Sequence, residues 1–398
     1  MKRAVARTMR APVFWDCIMR RCLTLGFLLF ALTVTGAVRG GHELPVYPSY
    51  YPHEIEIRTV APDAAESLLQ QPGIHAFLGS ELRFSGSMPD LIGEVESLGS
   101  LVTVRINPQS PYAETDATAC AIARAVPREI SSSNPDVILH PYPITPLHGD
   151  YLYHVDLAEA AKRHLLSDTA AFPTIRDLKL KAADASAKRL LGTEKAAPES
   201  DWDVEIRETS LPELVASAMT VIDGWLAPAV ARSGWYQAYL VLHDATAVGT
   251  KERVEADLQR IQSDDFNDSV DRINQERAVV TALVSDCRQF VIGYTLKRDY
   301  FNTEFSAGIE NIAFDSLTGF NSAIFLRTVK LKDFPWNGWL GVGIDARPTS
   351  AWNPITGFSD KFGRLMWSAV ADPALLPSPY DQAWMANRIS AIQVSPPR

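Results

Sequence analysis

Aromatic and polar residues in the last third of the chain suggest a first kind of chemistry, the binding of an organic ligand. Five tryptophans lie there: Trp336, Trp339, Trp352, Trp367 and Trp384. Aromatic rings on a loop rim stack on sugars or other organic molecules, and nearby charged groups add directional contacts. We predict a ligand-binding site made of Trp336, Trp339, Asp345, Arg347 and Trp352. The alternative is that the tryptophans pack a loop-rich region onto a sheet.

A histidine-rich segment is the second candidate. Four of the eight histidines fall within 25 residues: His140, His148, His154 and His164. Imidazole is the commonest metal ligand and a general base near neutral pH. The spacings match no metal-binding motif, so we predict no metal site and expect loop histidines held by backbone carbonyls. Within this segment, His148 and Asp150 flank Gly149 and are the candidate ligand-binding pair.

Carboxylates offer the third chemistry. Glu304 and Glu310 are six residues apart, so strand periodicity would place them on one face. Two such groups can act as acid and nucleophile or base in glycoside hydrolysis. Solvent-facing acids in an acidic protein explain them equally well. The nucleophile elbow, the phosphate-binding loop, the zinc-protease motif and the calcium-binding loop are all absent from the sequence.

The N-terminus has the pattern of an export signal. A basic segment precedes an apolar run from Cys22 to Val38, which is short for a membrane span. We predict that residues 1–41 are a signal peptide, with Met19 as an alternative start, and that the protein is periplasmic or secreted. After its removal we expect no stable membrane span; the alternative is an uncleaved anchor.

The net charge of the predicted mature chain argues against partners that carry many phosphate groups. Residues 1–41 hold seven basic residues and one acidic residue, which leaves 31 basic and 46 acidic residues and a net charge of −15. A protein that binds phosphate backbones needs a basic face. We therefore expect no nucleic acid partner and no binding to anionic lipid surfaces.

Two cysteines remain in the predicted mature chain. Cys120 and Cys287 would meet an oxidising compartment after export. We predict that they form one long-range disulfide, and the alternative is a pair of buried thiols. No CxxC motif is present, so neither reading supports a cysteine-ligated metal.

Strand and helix patterns alternate along the mature chain, which is typical of an α/β or α+β fold. We predict two lobes with a mixed sheet and helices on its faces. Residues 42–191 form the N-terminal α/β lobe, 192–201 the linker, and 202–398 the C-terminal lobe. In the latter, a helical stretch of about 211–288 precedes a β-rich region.

Some individual elements are predicted from short apolar runs. Helices are expected at Met88–Leu98, Ile175–Leu191 and Tyr380–Ser390. Strands are expected at Gln289–Lys297, Ala323–Leu331 and Trp339–Asp345.

These patterns favour an exported, non-catalytic protein that binds a small organic ligand or a partner protein. Two alternatives stay open. One is an exported hydrolase or carbohydrate-active enzyme that uses the C-terminal carboxylates. The other is an accessory factor of an exported redox or transport complex. The sequence names no cofactor.

Overall fold

The computed structural model describes most of the chain after residue 53. The described residues are 52, 54–167, 178–191, 201–214, 229–304, 307–333, 338–349, 358, 360–370, 375–381, 383–387 and 390. The predicted signal peptide and residues 192–200 of the predicted linker lie outside them. Within the described ranges, no helix has both the length and the apolar character needed to cross a membrane.

Helices and strands alternate through these ranges. The strands are β1 (Glu54–Thr59), β2 (Ala76–Leu78), β3 (Ile92–Ile106), β4 (Ile138–Leu139), β5 (Leu180–Ala182), β6 (Val204–Ser210), β7 (Gln289–Asn302), β8 (Ile309–Asn311), β9 (Lys330–Leu331), β10 (Trp339–Ile344), β11 (Leu375–Pro377) and β12 (Trp384–Ala386). The helices are α1 (Pro62–Gln70), α2 (Asp116–Ser133), α3 (Val155–Ser167), α4 (Ala185–Leu191), α5 (Gly234–Leu242), α6 (Val248–Gln262), α7 (Ser269–Leu283), α8 (Ala323–Thr328) and α9 (Lys361–Val370).

One mixed sheet organises the fold, in the order β1-β10-β2-β7-β3-β6-β5, with β4 paired to β7. The pairs of β1 with β10 and of β5 with β6 are parallel, whereas β7 with β3 and β3 with β6 are antiparallel. Two-stranded sheets β8–β9 and β11–β12 lie apart from it. The predicted mixed α/β fold, with helices flanking a mixed sheet, is confirmed.

The two longest strands divide this sheet into halves. β3 pairs with β7 over Ile92–Leu98, and again over Leu101–Arg105 after a register shift. Strands β1, β10 and β2 extend the first of these stretches and form the first half-sheet with it. Strands β4, β6 and β5 extend the other and form the second half-sheet. We call the register shift between the halves, at Gly99–Ser100 opposite Thr295, the crossing.

Helices and loops cover both faces of each half-sheet. Side chains alternate along a strand, so neighbours point to opposite faces. In β2, Phe77 packs with α1, whereas Leu78 packs with residues of α8 and α9. In β7, Val291 belongs to the core under α5, α6 and α7, and Ile292 to the core under α2 and α4. At β2 and at this part of β7 the half-sheets are therefore buried on two sides.

Local sequence explains where several helices begin. Pro62 occupies the first turn of α1, where its missing N–H would have no helical partner, and Asp63 follows it. Asp268 precedes α7, and its carboxylate accepts hydrogen bonds from the N–H groups of Val270 and Asp271. Such caps satisfy the first backbone donors of a helix.

Some element predictions are confirmed and others are wrong. The strands predicted at Gln289–Lys297 and Trp339–Asp345 are present as β7 and β10. A helix was predicted at residues 88–98, but residues 92–98 belong to β3, because pairing with β7 overrides the local preference. In place of a predicted strand at Ala323–Leu331, the chain forms α8 and the short β9. The apolar run of α8 is buried along its length, and such a run does not distinguish a helix from a strand.

Two further helices were predicted where strands form. The described part of Ile175–Leu191 contains β5 before the helix α4. The described part of Tyr380–Ser390 contains β12, which pairs with β11. The division of the chain into two lobes at residues 192–201 stays a prediction. Strand β6 follows this segment in the sequence and pairs with β3, which precedes the segment.

The predicted disulfide is present. Cys120 of α2 and Cys287, two residues before β7, are bonded with their Cα atoms 4.9 Å apart and 167 positions apart in sequence. Cys287 packs against the core between α2 and the second half-sheet. The bond therefore fixes the start of β7 against the helix that covers β3.

Removing this disulfide should destabilise the protein. Because the bond closes a long loop, C120A/C287A is expected to lower the free energy of unfolding by about 4–5 kcal/mol, measured by urea denaturation. The reduced wild-type protein is the matched control and should unfold at a similar urea concentration. A non-reducing peptide map in which the peptides carrying Cys120 and Cys287 run separately would contradict the pairing.

Candidate functional site

A cleft opens beside the crossing. Its volume is about 800 Å³, and both half-sheets contribute to its wall. From the strands come Gly99, Ser100, Glu208 and Thr295, and from the C-terminal region come α9, β11 and Trp384. A cavity of this size lies within the range that encloses small organic ligands.

The floor of the cleft is built on the irregular pairing at the crossing. The N–H of Ser100 donates to Thr295 Oγ1 at 3.0 Å, in place of a regular ladder bond. A side chain at Gly99 would press on Thr295, since its Cβ would lie 2.8 Å from Oγ1. The N–H of Leu98 donates to the carbonyl of Ser316 at 2.8 Å. The register shift therefore frees backbone groups to hold the neighbouring turn.

That turn, residues 315–322, is held by two buried carboxylates. Asp315 accepts hydrogen bonds from the N–H groups of Leu317 and Thr318 through Oδ1. Asp299 accepts from the N–H of Phe320 at 2.8 Å and from Lys297 Nζ at 2.6 Å. Gly319 adopts φ +65°, and a Cβ there would overlap Asp299 Oδ2. Only glycine fits this position without displacing the carboxylate.

A buried ion pair connects the turn to the helical region. Arg232, at the end of the 3-10 helix Ala229–Arg232, donates to Asp315 Oδ2 at 2.6 Å and to the carbonyl of Ser378 at 2.9 Å. The side chains are 5% and 2% exposed, and both residues line the cleft. Removing one partner would leave a buried charge uncompensated.

Aromatic residues form another part of the wall. Trp367 of α9, Trp384 of β12 and Phe358 line the cleft. The rings of Phe358 and Trp367 have centroids 6.4 Å apart and are tilted by 54°. This wall offers flat apolar faces to a ligand beside the charged groups.

Burial shifts two ionisable groups of the wall. The pKa of Glu208 is raised by burial, against the opposing effect of a hydrogen bond with Ser100. Burial lowers the pKa of Arg364, and nearby Asp360 acts in the opposite direction. Both shifts mean that the cleft disfavours isolated charge, as is common where ligands bind.

The predicted tryptophan site is only partly described. Asp345 lines the cleft and accepts a hydrogen bond from the Ser80 hydroxyl at 3.0 Å. Trp339 is 71% exposed and Arg347 is exposed, and neither belongs to the described cleft wall. Trp336 and Trp352 lie outside the described residues. The site as a whole stays a prediction.

His148 and Asp150 are buried beneath α5. The carboxylate of Asp150 accepts hydrogen bonds from the N–H groups of Gly234 and Trp235. His148 Nδ1 accepts from the N–H of Thr145 at 2.9 Å, so Nε2 carries the proton and donates to Gln237 Oε1. These contacts hold the histidine loop against the helix. Neither residue is in the described cleft wall.

The carboxylates Glu304 and Glu310 also lie away from the described cleft wall. Glu304 Oε2 accepts a hydrogen bond from the N–H of Ala307 at 2.6 Å, and Glu310 is exposed. Across the ranges that are described, no three His, Cys, Asp or Glu side chains form a group that could hold a metal ion.

Several cleft residues carried no clear signal in the sequence. Trp367 and Trp384 were among the five C-terminal tryptophans, but nothing in their neighbourhood separated them from the others. Arg232 lies in an apolar segment, and its partner Asp315 is 83 positions away. Only the folded chain brings them together.

The fold and the cleft together define a mixed α/β protein with a ligand-sized cavity where two long strands pass between half-sheets. No family model matches the sequence, and no curated protein matches it.

Solved structures share part of the architecture. The oligopeptide-binding protein AppA from Bacillus subtilis, in complex with a nonapeptide, has 12% identity and a TM-score of 0.37, over 68% of this chain and 58% of that chain. NikA from Brucella suis, in complex with Fe(III)-EDTA, has 13% identity and a TM-score of 0.33, over 65% and 53%. The ABC transporter substrate-binding protein CtaP from Listeria monocytogenes has 10% identity and a TM-score of 0.37, over 68% and 58%.

The chain therefore matches little more than half the length of these three proteins. At such TM-scores the likeness is partial, and it assigns no ligand or transporter to this chain.

Substitution of Gly319 tests the geometry of the turn. G319A should lower the free energy of unfolding by about 3 kcal/mol, because it adds backbone strain and displaces the Asp299 carboxylate. The matched control is G249A in the first turn of α6, where an added Cβ meets nothing within 4 Å. That variant should be neutral or slightly stabilised. Equal stability of the two variants in urea denaturation would refute the tight fit at Gly319.

The buried histidines predict a loss of stability in mild acid. His154 Nδ1 and the Tyr142 hydroxyl are hydrogen-bonded at 2.8 Å, and burial lowers the pKa of His154 to about 4. Because an unfolded histidine has a pKa near 6.5, the unfolded chain binds more protons between these values. His154 alone should therefore lower the free energy of unfolding by about 2–3 kcal/mol as the pH drops from 6.5 to 4.

Two variants isolate this effect. H154Q should show a smaller pH dependence of unfolding than the wild type over the same range. H164Q, at an exposed histidine of α3, should keep the wild-type dependence. Identical slopes for the wild type and H154Q would show that His154 is not the titrating group.

Proposed function

We propose that this chain is an exported protein that binds a small organic ligand in the cleft and performs no covalent chemistry on it. The observation that carries the proposal is the cavity of about 800 Å³ at the crossing, to which both half-sheets contribute polar groups. The export pattern of residues 1–41 and the absence of standard catalytic motifs support it.

Several polar side chains of the cleft wall are held in place by partners. Lys297 is paired with Asp299, and Arg298 with Glu81 at 2.6 Å. Asp345 accepts a hydrogen bond from the Ser80 hydroxyl. Groups held in this way are positioned to orient a ligand, since their partners fix their direction.

Blocking the cleft tests this proposal. S368W places an indole on the cleft side of α9 and should abolish ligand binding. V370W is the matched control, because Val370 belongs to the same helix and is 79% exposed. Native mass spectrometry of the protein purified from its own host should show a retained small molecule on the wild type and V370W only.

Two results would contradict the proposal. One is a native mass of the wild type equal to its denatured mass after growth in both rich and minimal medium. The other is retention of the same molecule by S368W, which would place the ligand elsewhere.

A further inference from the structure

Strand β1 lies at one end of the mixed sheet and pairs only with β10 among the described strands. The pairing is regular over all six residues of β1, and the strand contains no proline. The opposite end of the sheet is formed by β5, which has only three residues. An edge strand presents a row of backbone donors and acceptors that another strand can bind. The edge at β1 is the longer and more regular of the two.

The backbone groups of alternate residues of β1 point to this edge. The N–H of Val60, just after the strand, donates to the carbonyl of Ile344 of β10 at 2.8 Å. Successive residues of a strand direct their N–H and C=O groups to opposite sides, so the even-numbered residues face β10 and the odd-numbered residues face away from it. The residues that face away are Ile55, Ile57 and Thr59.

The apolar side chains of β1 are less completely covered than those of the strand beside it. Ile55 and Ile57 pack against the core under α8 and α9 but remain partly exposed. Leu340 and Val342, which lie next to them on β10, are fully buried. A further strand beside β1 would cover the rest of both isoleucines, and removing apolar surface from water favours association.

The other face of β1 carries charges of opposite sign. Arg58 Nε donates to Glu56 Oε1 at 2.6 Å, and both side chains are about half exposed. A second β1 strand can lie antiparallel to the first, with Ile57 opposite Ile57 of the second copy. Each Glu56 then lies opposite an Arg58 of the other copy. These are non-hydrogen-bonded positions, where facing side chains approach most closely.

The neighbouring registers bring like charges together. Sliding the second strand by two residues keeps the odd-numbered residues paired with each other. In one direction this places Glu56 opposite Glu56, and in the other it places Arg58 opposite Arg58. Like charges directly opposite each other are destabilising. The sequence of β1 therefore selects a single register, and that register has two-fold symmetry.

We propose that two copies of this chain form a symmetric dimer through antiparallel pairing of their β1 strands. Ile57 lies on the two-fold axis, and residues 55, 57 and 59 of the two copies exchange backbone hydrogen bonds. Glu56 and Arg58 of both copies form a network of four alternating charges. The first half-sheets of the two copies become one continuous sheet. No residue of β1 lines the described cleft, so this dimer is tested independently of ligand binding.

A pair of variants at Thr59 tests the backbone hydrogen bonds on the full exported protein. T59P removes an N–H that faces the edge, and proline is tolerated in an edge strand where its nitrogen faces outward. The dimer loses one hydrogen bond per copy, so its dissociation constant should rise about tenfold or more. T59A keeps the N–H and is the matched control, which should dimerise as the wild type does. The measurement is sedimentation equilibrium at micromolar concentrations, with circular dichroism to check that each variant is folded.

A charge exchange tests the register. E56R and R58E each place like charges opposite one another, so each should raise the dissociation constant about tenfold or more. The double variant E56R/R58E restores opposite charges and should recover the dissociation constant of the wild type to within about threefold. E252R, the same change at an exposed glutamate of α6, is the control and should dimerise normally.

Three results would overturn the proposal. The first is a wild type that remains monomeric at micromolar concentrations. The second is a dimer that T59P and both single charge variants leave intact, because such a dimer must use another surface. The third is a double variant E56R/R58E that dimerises no better than the single variants, which would exclude the register with Ile57 on the axis.

Discussion

The antiparallel pairing of β3 with β7 is the constraint on which the rest of the structure depends. These two strands come from distant parts of the chain, and together they carry both half-sheets. Joining them closes a long loop, which is entropically unfavourable. The disulfide between Cys120 and Cys287 limits that cost, because it ties the start of β7 to the helix packed over β3. Apolar residues on both faces of the strands then stabilise the pairing.

The cleft lies beside an irregularity in the same pairing. The register shift at Gly99–Ser100 lies in the cleft wall, and beside it the N–H of Leu98 bonds to the turn at 315–322. That turn presents Asp315 to Arg232, and the two charges are buried together at the edge of the cavity. A buried pair of this kind contributes little net stability compared with apolar packing. The pair joins the turn at 315–322 to the end of the 3-10 helix Ala229–Arg232.

The proposed function rests on the composition of the cleft wall. The wall combines charged groups that their partners hold in fixed directions with the aromatic faces of Phe358, Trp367 and Trp384. Such a mixture of apolar surface and a few directed polar groups is typical of sites that bind small organic molecules.

The sequence by itself determined the mixed α/β fold class, some of the strands and the disulfide. Alternating apolar patterns identified β10 and the first half of β7, and two cysteines in a predicted export context identified the disulfide. Local patterns failed where strand pairing or burial decides the structure. Residues 92–98 were predicted as part of a helix but are held in β3 by β7. The apolar run of α8 is compatible with a helix or a strand. Only the tertiary structure decided the site. Hydrogen bonds such as that of Arg232 to Asp315 join residues far apart in sequence, and no local spacing encodes them.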